Sequence, residues 1–471
     1  MTPTSGALTP TQFAILGASG DLSQRKLLPA LLDLYAKDAL PERFHVVGMA
    51  RTPRSDEGFR QFVKEALTDH GQHANDIIDR FCGHLTYVAG SFDDDNAFED
   101  LKAAIKHYDD RINSCSNVLF YLAVPPKHYA QIFDRLHAHG LAEPCDAEHG
   151  WNRILVEKPF GHDRSSAQAL DEKLSSLFKE EQIYRIDHYL AKEAIQNILS
   201  FRFANTLTKA HWDHHSIKSI SITMHETVDA SERGSFYDAI GALRDVGQNH
   251  LLQLLALTTM SEPESFSAEA IRKRRADILE TLIPVEQSTI QEQFQRAQYT
   301  GYQNIDGVSE GSTTETAFWI KAELSDPNWK GVPIYIESGK ALAKKRVAVK
   351  VVFHDIASGP FDTDTCERAA NEILLEIEPT QAMHITLNSK RPGHGYQLES
   401  RTLSFNCPEE RGGLRNAYER VLMDCITGDQ TLFVTGREVV AQWAFINSIL
   451  DTMSTVPLTH YEPGSDRPFD T

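Results

Sequence analysis

The chain has 471 residues, with 47 Lys or Arg against 66 Asp or Glu, a formal net charge of −19. That balance argues against nucleic-acid and anionic-membrane partners, which call for a basic surface, while the length allows two domains and a large core. The six cysteines are scattered without a CxxC pair, residues 1–12 carry no signal-peptide pattern, and the richest apolar run, Leu251–Leu257, is too short to span a bilayer, so the expectation is a reducing, cytoplasmic compartment with no disulfide framework.

A buried-strand signal at Phe13–Leu16 runs into Gly17-Ala18-Ser19-Gly20-Asp21-Leu22-Ser23, and Leu27, Leu28, Leu31, Leu32 and Leu34 follow at helical spacing. Strand, glycine turn and helix form the context in which a backbone approaches a pyrophosphate and helix N–H groups face it. The spacing is G-x-x-G-x-x-S and not G-x-G-x-x-G, so a plain strand–turn–helix fits as well. The second strand, Phe44–Ala50, ends at Arg51. An acid there would take ribose hydroxyls, whereas an arginine accommodates the 2′-phosphate of NADP. A further strand, Val118–Val124, stops at Pro125-Pro126, and Tyr129 opens a helix to about Gly140. The strand Arg153–Val156 delivers Glu157-Lys158-Pro159, placing Lys158 at the strand end where open α/β sheets keep reacting groups. Residues 1–184 therefore read as a Rossmann-like, doubly wound NADP-binding domain.

The nonapeptide Arg185-Ile186-Asp187-His188-Tyr189-Leu190-Ala191-Lys192-Glu193 follows. If it enters a helix, His188 and Lys192 share a face, with Tyr189 beside them, in a cluster suited to a phosphate dianion. The histidines around Asp213 read as a surface loop and not a metal site, since one carboxylate accompanies them. Ile217–Met224 alternates as a half-buried strand and leads to Glu226. Gly241–Leu257 reads as a helix with Val246, His250, Leu254 and Leu257 on one stripe. A histidine on such a stripe is a core residue unless a carboxylate holds its tautomer and charge, and Asp187 is a candidate. The segments 316–324, 332–336, 346–353, 372–377, 382–387 and 398–405 alternate with few helices between them, so a large, mainly antiparallel sheet is expected. Ser338-Gly339-Lys340 and Lys345 fall in one of its turns, and 414–426 and 438–453 read as closing helices. Residues 185–471 thus form a second, α+β domain with flanking helices.

Taken together in this order, Gly17–Leu22, Glu157–Gly161, the nonapeptide, Arg244-Asp245-Val246-Gly247-Gln248-Asn249-His250 and Ser338-Gly339-Lys340 resemble the glucose-6-phosphate dehydrogenase family, and Gln298–Tyr302 and Ala417–Arg420 extend the likeness. The resemblance implies oxidation of β-D-glucose 6-phosphate at C1, with hydride passing to NADP⁺ and no metal. It implies His250 as general base, paired with Asp187, and His188, Tyr189 and Lys192 on the substrate phosphate. Lys158 would bridge cofactor and sugar, and Glu226, Asp245, Lys340 and Lys345 would contact the substrate. The cofactor would be held by Gly17, Ala18, Ser19, Gly20, Asp21, Leu22, Ser23 and Gln24, with Arg51 and Tyr129. The family also implies a homodimer or homotetramer formed through the large sheet.

Some positions depart from the family pattern. Ser23 and Ala191 replace an alanine and a glycine, Ser235 stands where a second glycine is frequent, and Glu378 stands where a glutamine often binds the sugar. Glu337 and Glu376 occupy positions that are basic in members holding a second, structural NADP, so that second site is expected to be absent. Two alternatives compete: a dehydrogenase of the glucose–fructose oxidoreductase type, which would not need the phosphate cluster, and a non-catalytic NADP sensor, which would not keep His250, Asp187 and Lys158.

Overall fold

The computed structural model describes residues 9–71, 73–146, 150–355, 370–394, 397–406 and 417–469. They divide into two compact units. The first holds the residues up to Gly161, Ser165–Ala191 and a returning segment that includes 417–436; the second holds His162–Arg164, the described residues from Lys192 to 406, and those from Arg437 onward.

In the first unit, β1 (Thr11–Leu16), β2 (Phe44–Ala50), β3 (Leu85–Ala89), β4 (Asn117–Leu122), β5 (Asn152–Val156) and β6 (Ile183–Ile186) pair in parallel in the order 6-5-4-1-2-3. This is the doubly wound arrangement, with its switch point between β1 and β4. The central strands are buried along their whole length because helices cover both faces, which is why they read as unbroken apolar runs. Neither β3 nor β6 was expected from the sequence. In β6 the charge of Arg185 hides the strand: the side chain is 2% exposed and is neutralised by Asp171 at 2.6 Å and Glu180 at 3.0 Å.

This division differs from a single cut after residue 184. The strand Phe433–Val434 returns to pair antiparallel with β6, extending the sheet by one. Helix Ala417–Thr427 packs on helix Leu28–Ala36, with Glu419 ion-paired to Lys37. Of the helix expected over 414–426, positions 414–416 lie outside the described residues. The expectation of no disulfide is also corrected. Cys115 leads into β4 and Cys145 lies in the loop before β5, and because β4 and β5 are neighbours the two meet in a disulfide with a Cα separation of 5.7 Å. Cys82 and Cys425 are buried and reduced.

The second unit is built on a nine-stranded sheet. Its strands are β7 (Ile217–His225), β8 (Phe294–Tyr299), β9 (Ala317–Ala322), β10 (Ile334–Gly339), β11 (Arg346–Phe353), β12 (Glu372–Glu378), β13 (Ala382–Lys390), β14 (Leu398–Asn406) and a last strand, Leu458–Tyr461. The order is β14-β13-β12-β11-β7-β10-β9-β8 and then the last strand. The pairing is antiparallel except between β7 and β10 and between β8 and the last strand. Those two outer strands escaped the sequence reading because β8 buries polar side chains. Arg296 Nε donates to the carbonyl of Val456 at 3.0 Å, and Gln298 donates to the carbonyls of Ser312 and Thr314. At the opposite edge β14 is exposed along its length, with Leu403 and Phe405 62% and 60% accessible.

A buried histidine in the first unit gives the fold a pH dependence. His45 Nδ1 donates to Gln12 Oε1 at 3.1 Å, and its Nε2 lies 3.0 Å from the Thr86 hydroxyl, which donates to the neutral ring. Its ring stacks on Tyr108, 4.7 Å between centroids. Burial, helped by the charge of Arg111, lowers its pKa to about 3. Below the ordinary value near 6.5 the unfolded chain takes up a proton that the folded chain refuses, so stability falls as the pH drops towards 3. Denaturant unfolding should lose about 2 kcal/mol through this group between pH 7 and 5, and His45→Gln should flatten that part of the slope.

Candidate active site

The glycine turn sits at the switch point of the first sheet. Gly17 has φ +93°, and a Cβ there would run into the carbonyl oxygen of Ala123, which follows β4. The Gly17 and Ala18 amides donate to the carbonyl of Met49 at 2.8 and 3.2 Å, and Ser23 Oγ donates back to the carbonyl of Gly17 at 3.0 Å. Gln24 Nε2 donates to the carbonyl of Ser19 at 3.0 Å. The chain turns directly into a helix from Asp21, whose Ser23–Leu27 part has π winding. Asp21 pairs with Arg25 on the exposed side, and Leu22 is half-buried. The result is a cradle formed by the glycine turn and a helix N-terminus at the strand ends, which fits a nucleotide's pyrophosphate. Arg51, just past β2, is exposed, and its charge reaches His128.

Tyr129 does not present its hydroxyl to this cradle. Its ring is fully buried and its hydroxyl donates to the carbonyl of Glu157 at 2.9 Å, bracing the end of β5 that carries Lys158. The Glu157 carboxylate accepts from Tyr121 at 2.5 Å and from Tyr418. Burial raises its pKa, outweighing those hydrogen bonds and the neighbouring Lys158 charge. Tyr121 and Tyr418, read in the sequence only as part of a strand and of the family likeness, were given no role there, although Glu157 stands within the motif that they support.

The nonapeptide does not continue into a helix at His188. Asp187, 4% exposed, accepts from the Tyr189 amide at 3.0 Å, and its own carbonyl accepts from the Leu190 amide, so 188–191 form a turn. The shared helical face expected for His188 and Lys192 is therefore not formed. The rings of His188 and Tyr189 lie 5.0 Å apart, both half-buried. Lys192 instead precedes helix Glu193–Phe203, and its carbonyl receives the amides of Ile195 and Gln196.

In the second unit, His250 lies as expected in a long helix, but the segment Leu243–Leu251 has π winding. One extra residue per hydrogen-bonded loop shifts the apolar stripe, a feature frequent at functional sites. Asn249 bridges the disturbed ladder: its Nδ2 donates to the carbonyl of Asp245 at 2.9 Å and its Oδ1 accepts from the His250 amide at 2.6 Å. The imidazole of His250 is 1% exposed.

Sheet register gathers the remaining residues. The parallel pair β7 and β10 ends with His225 opposite Gly339, so the next residues, Glu226 and Lys340, are neighbours. Lys340 Nζ is 2.6 Å from Glu226 and 4.0 Å from Asp245, and it lies 5.1 Å from the ring centroid of Tyr237. No sequence signal singled out Tyr237. At the same end β11 begins opposite His225, placing Lys345 there, and β12 ends at Glu378 opposite Val347. Glu378 pairs with Lys192 at 2.6 Å and with Lys345 at 3.0 Å. Burial works to raise the pKa of Glu378, but the hydrogen bonds and charges of Lys192 and Lys345 outweigh it and hold the carboxyl below its usual range. The Asp213 carboxylate is spent on the amide of His215 at 2.9 Å.

Known proteins resolve the lineage. A family model described as the glucose-6-phosphate dehydrogenase NAD binding domain matches residues 14–197, and one described as its C-terminal domain matches 199–471. The chain belongs to the glucose-6-phosphate dehydrogenase family. Among relatives, a glucose-6-phosphate 1-dehydrogenase of Chlamydia muridarum (strain MoPn / Nigg) is 35% identical, covering 99% of this chain and 96% of its own length. Another, of Aggregatibacter actinomycetemcomitans, is 37% identical, covering 93% and 90%. A solved glucose-6-phosphate dehydrogenase in complex with its substrate glucose-6-phosphate has a TM-score of 0.89 at 33% identity, covering 99% and 97%. As in other glucose-6-phosphate dehydrogenases, the first unit is a nicotinamide-nucleotide domain.

The cradle can be tested by filling it. Gly17→Ala places a methyl against the Ala123 carbonyl at a left-handed backbone position. It should weaken nicotinamide-nucleotide binding by roughly tenfold or more, read by equilibrium fluorescence titration.

Proposed function

We propose that the chain oxidises β-D-glucose 6-phosphate at C1 to 6-phospho-D-glucono-1,5-lactone with NADP⁺ as acceptor, the first oxidative step of the pentose phosphate pathway. What supports the reading is the gathering of Lys340, Lys345, Glu226 and Asp245, with Lys192 on Glu378, around one end of a sheet in the second unit. Six charged groups of both signs in one place suit a ligand that is both anionic and rich in hydroxyls.

In this reading the residues Gly17 to Gln24 hold the pyrophosphate, Arg51 the 2′-phosphate, and Lys158 the reacting end. When bound, NADP⁺ supplies the acceptor for the hydride of C1. The C1 hydroxyl must lose its proton as the hydride leaves, and His250 takes it. Buried as it is, the resulting imidazolium requires a carboxylate, and that role belongs to Asp187. Glu226, Asp245 and Lys340 orient the sugar, while His188, Tyr189, Lys192 and Lys345 hold its phosphate. Phosphate binding far from C1 then contributes to orientation at the reacting carbon.

A cytoplasmic homodimer or homotetramer joined through the large sheet belongs to the same proposal, with exposed Leu403 and Phe405 as apolar surface for it. A second NADP is not part of it. Glu337, held by His225 at 2.7 Å, and Glu376, 3.8 Å from His384, would repel a polyanion on that sheet.

The deciding assay is nicotinamide reduction with glucose 6-phosphate or glucose, each with NADP⁺ or NAD⁺. Rapid reduction is expected only with the phosphorylated sugar, and faster with NADP⁺. Equal rates with free glucose would overturn the phosphate assignment, and equal or better turnover with NAD⁺ the role of Arg51. His250→Asn should still bind sugar phosphate while kcat falls on the order of 10²–10⁴-fold. Unchanged turnover would remove His250 from the mechanism.

A further inference from the structure

Glu378 closes β12 with its carboxylate held between two ammonium groups, Oε1 at 2.6 Å from Lys192 Nζ and Oε2 at 3.0 Å from Lys345 Nζ. Three separate elements bring them together. Helix Glu193–Phe203 packs on β12 and carries Lys192 at its start, and β12 pairs with β11, which Lys345 precedes. The ladder between β11 and β12 shifts register at Val347 and Ala348, where Val347 stands opposite Glu378, so the irregularity falls beside the carboxylate. Lys192 and Glu378 are each about one-fifth accessible, at 22% and 20%, while Lys345 is half-exposed at 53%, so the trio is open to a solute from the Lys345 side.

A carboxylate bridging two lysines presents to them the same chemistry as a phosphate, two anionic oxygens for two ammonium donors. Resting on the reading that Lys192 and Lys345 serve the substrate phosphate, we infer that Glu378 is a specificity-determining residue, a tethered anion that occupies both lysines in the ligand-free chain and must be shared or displaced when a phosphate enters. Two consequences follow from charge alone. The lysines stay in place side by side without a bound ligand, because their mutual repulsion is offset. Any free phosphate meets a competitor whose effective concentration is fixed by the fold. Bare inorganic phosphate has only the phosphate contacts, those of His188, Tyr189 and the two lysines, to set against the displacement. A phosphorylated sugar has further contacts, at Lys340 and Glu226, with which to offset the displacement. Selection against the small anion thus comes from a repulsive element built into the site.

Calorimetric titration of the full chain with inorganic phosphate and with glucose 6-phosphate tests this. Glu378→Gln keeps the shape and removes the charge, and should tighten binding of both by about tenfold at low ionic strength, turning inorganic phosphate into an effective competitor of the sugar phosphate. Glu378→Asp, which keeps the charge but withdraws it by one methylene, should fall between the two. Phosphate binding that is unchanged or weaker in Glu378→Gln would overturn the inference and make Glu378 a brace or a sugar ligand. Lys192→Gln separates the two levels of the argument: it should weaken glucose 6-phosphate binding at least tenfold. If it does not, the phosphate assignment itself fails, and the inference with it.

Discussion

Lys340 is 5% exposed, and an ion so placed is tolerable only with countercharge at hand. Glu226 provides it at 2.6 Å, and it can do so because β7 and β10 run in parallel within a sheet that is otherwise mainly antiparallel. Had the two strands been antiparallel, the residues after their ends would stand at opposite ends of the sheet. The parallel pair brings Glu226 and Lys340 together, and the antiparallel neighbours β11 and β12 then add Lys345 and Glu378 at that same end. Asp245 reaches the group from the π-wound helix segment. One exception in strand direction thus sets the chemistry of the second unit.

The first unit obeys a different constraint. Its reactive loops follow strands buried on both faces, so apolar runs end abruptly where chemistry begins: Leu16 at the glycine turn, Ala50 at Arg51, Val156 at Glu157-Lys158. That abruptness made these positions legible in the sequence, and β12 was read to within one residue because it alternates cleanly. Legibility failed where charge was compensated out of sight. Arg185 reads as surface until Asp171 and Glu180 are seen beside it, and Arg296, buried against the carbonyl of Val456, hides β8.

Local hydrogen bonding defeated periodicity twice more. The four-residue spacing of His188 and Lys192 suggests a helix, yet the Asp187 carboxylate takes the Tyr189 amide and makes a turn. Around His250 the helix exists, but its π winding moves every side chain by a fraction of a turn, and no apolar pattern encodes that. The Cys115–Cys145 disulfide depends on β4 and β5 lying side by side, a fact of topology that 30 residues of sequence separation do not reveal.

The return of the chain near its end has a consequence for biosynthesis. The nucleotide-binding unit lacks its outermost strand, Phe433–Val434, and the helix that covers Leu28–Ala36 until β7 to β14 of the second unit have been made. At a synthesis rate of roughly 5–20 residues per second, β6 waits on the order of ten to fifty seconds for its partner. During that interval an open sheet edge and the apolar side of helix Leu28–Ala36 face the ribosomal environment, ready-made sites for a holdase or for a neighbouring nascent chain. The amino-terminal unit is therefore begun first yet completed only after most of the second unit has been made.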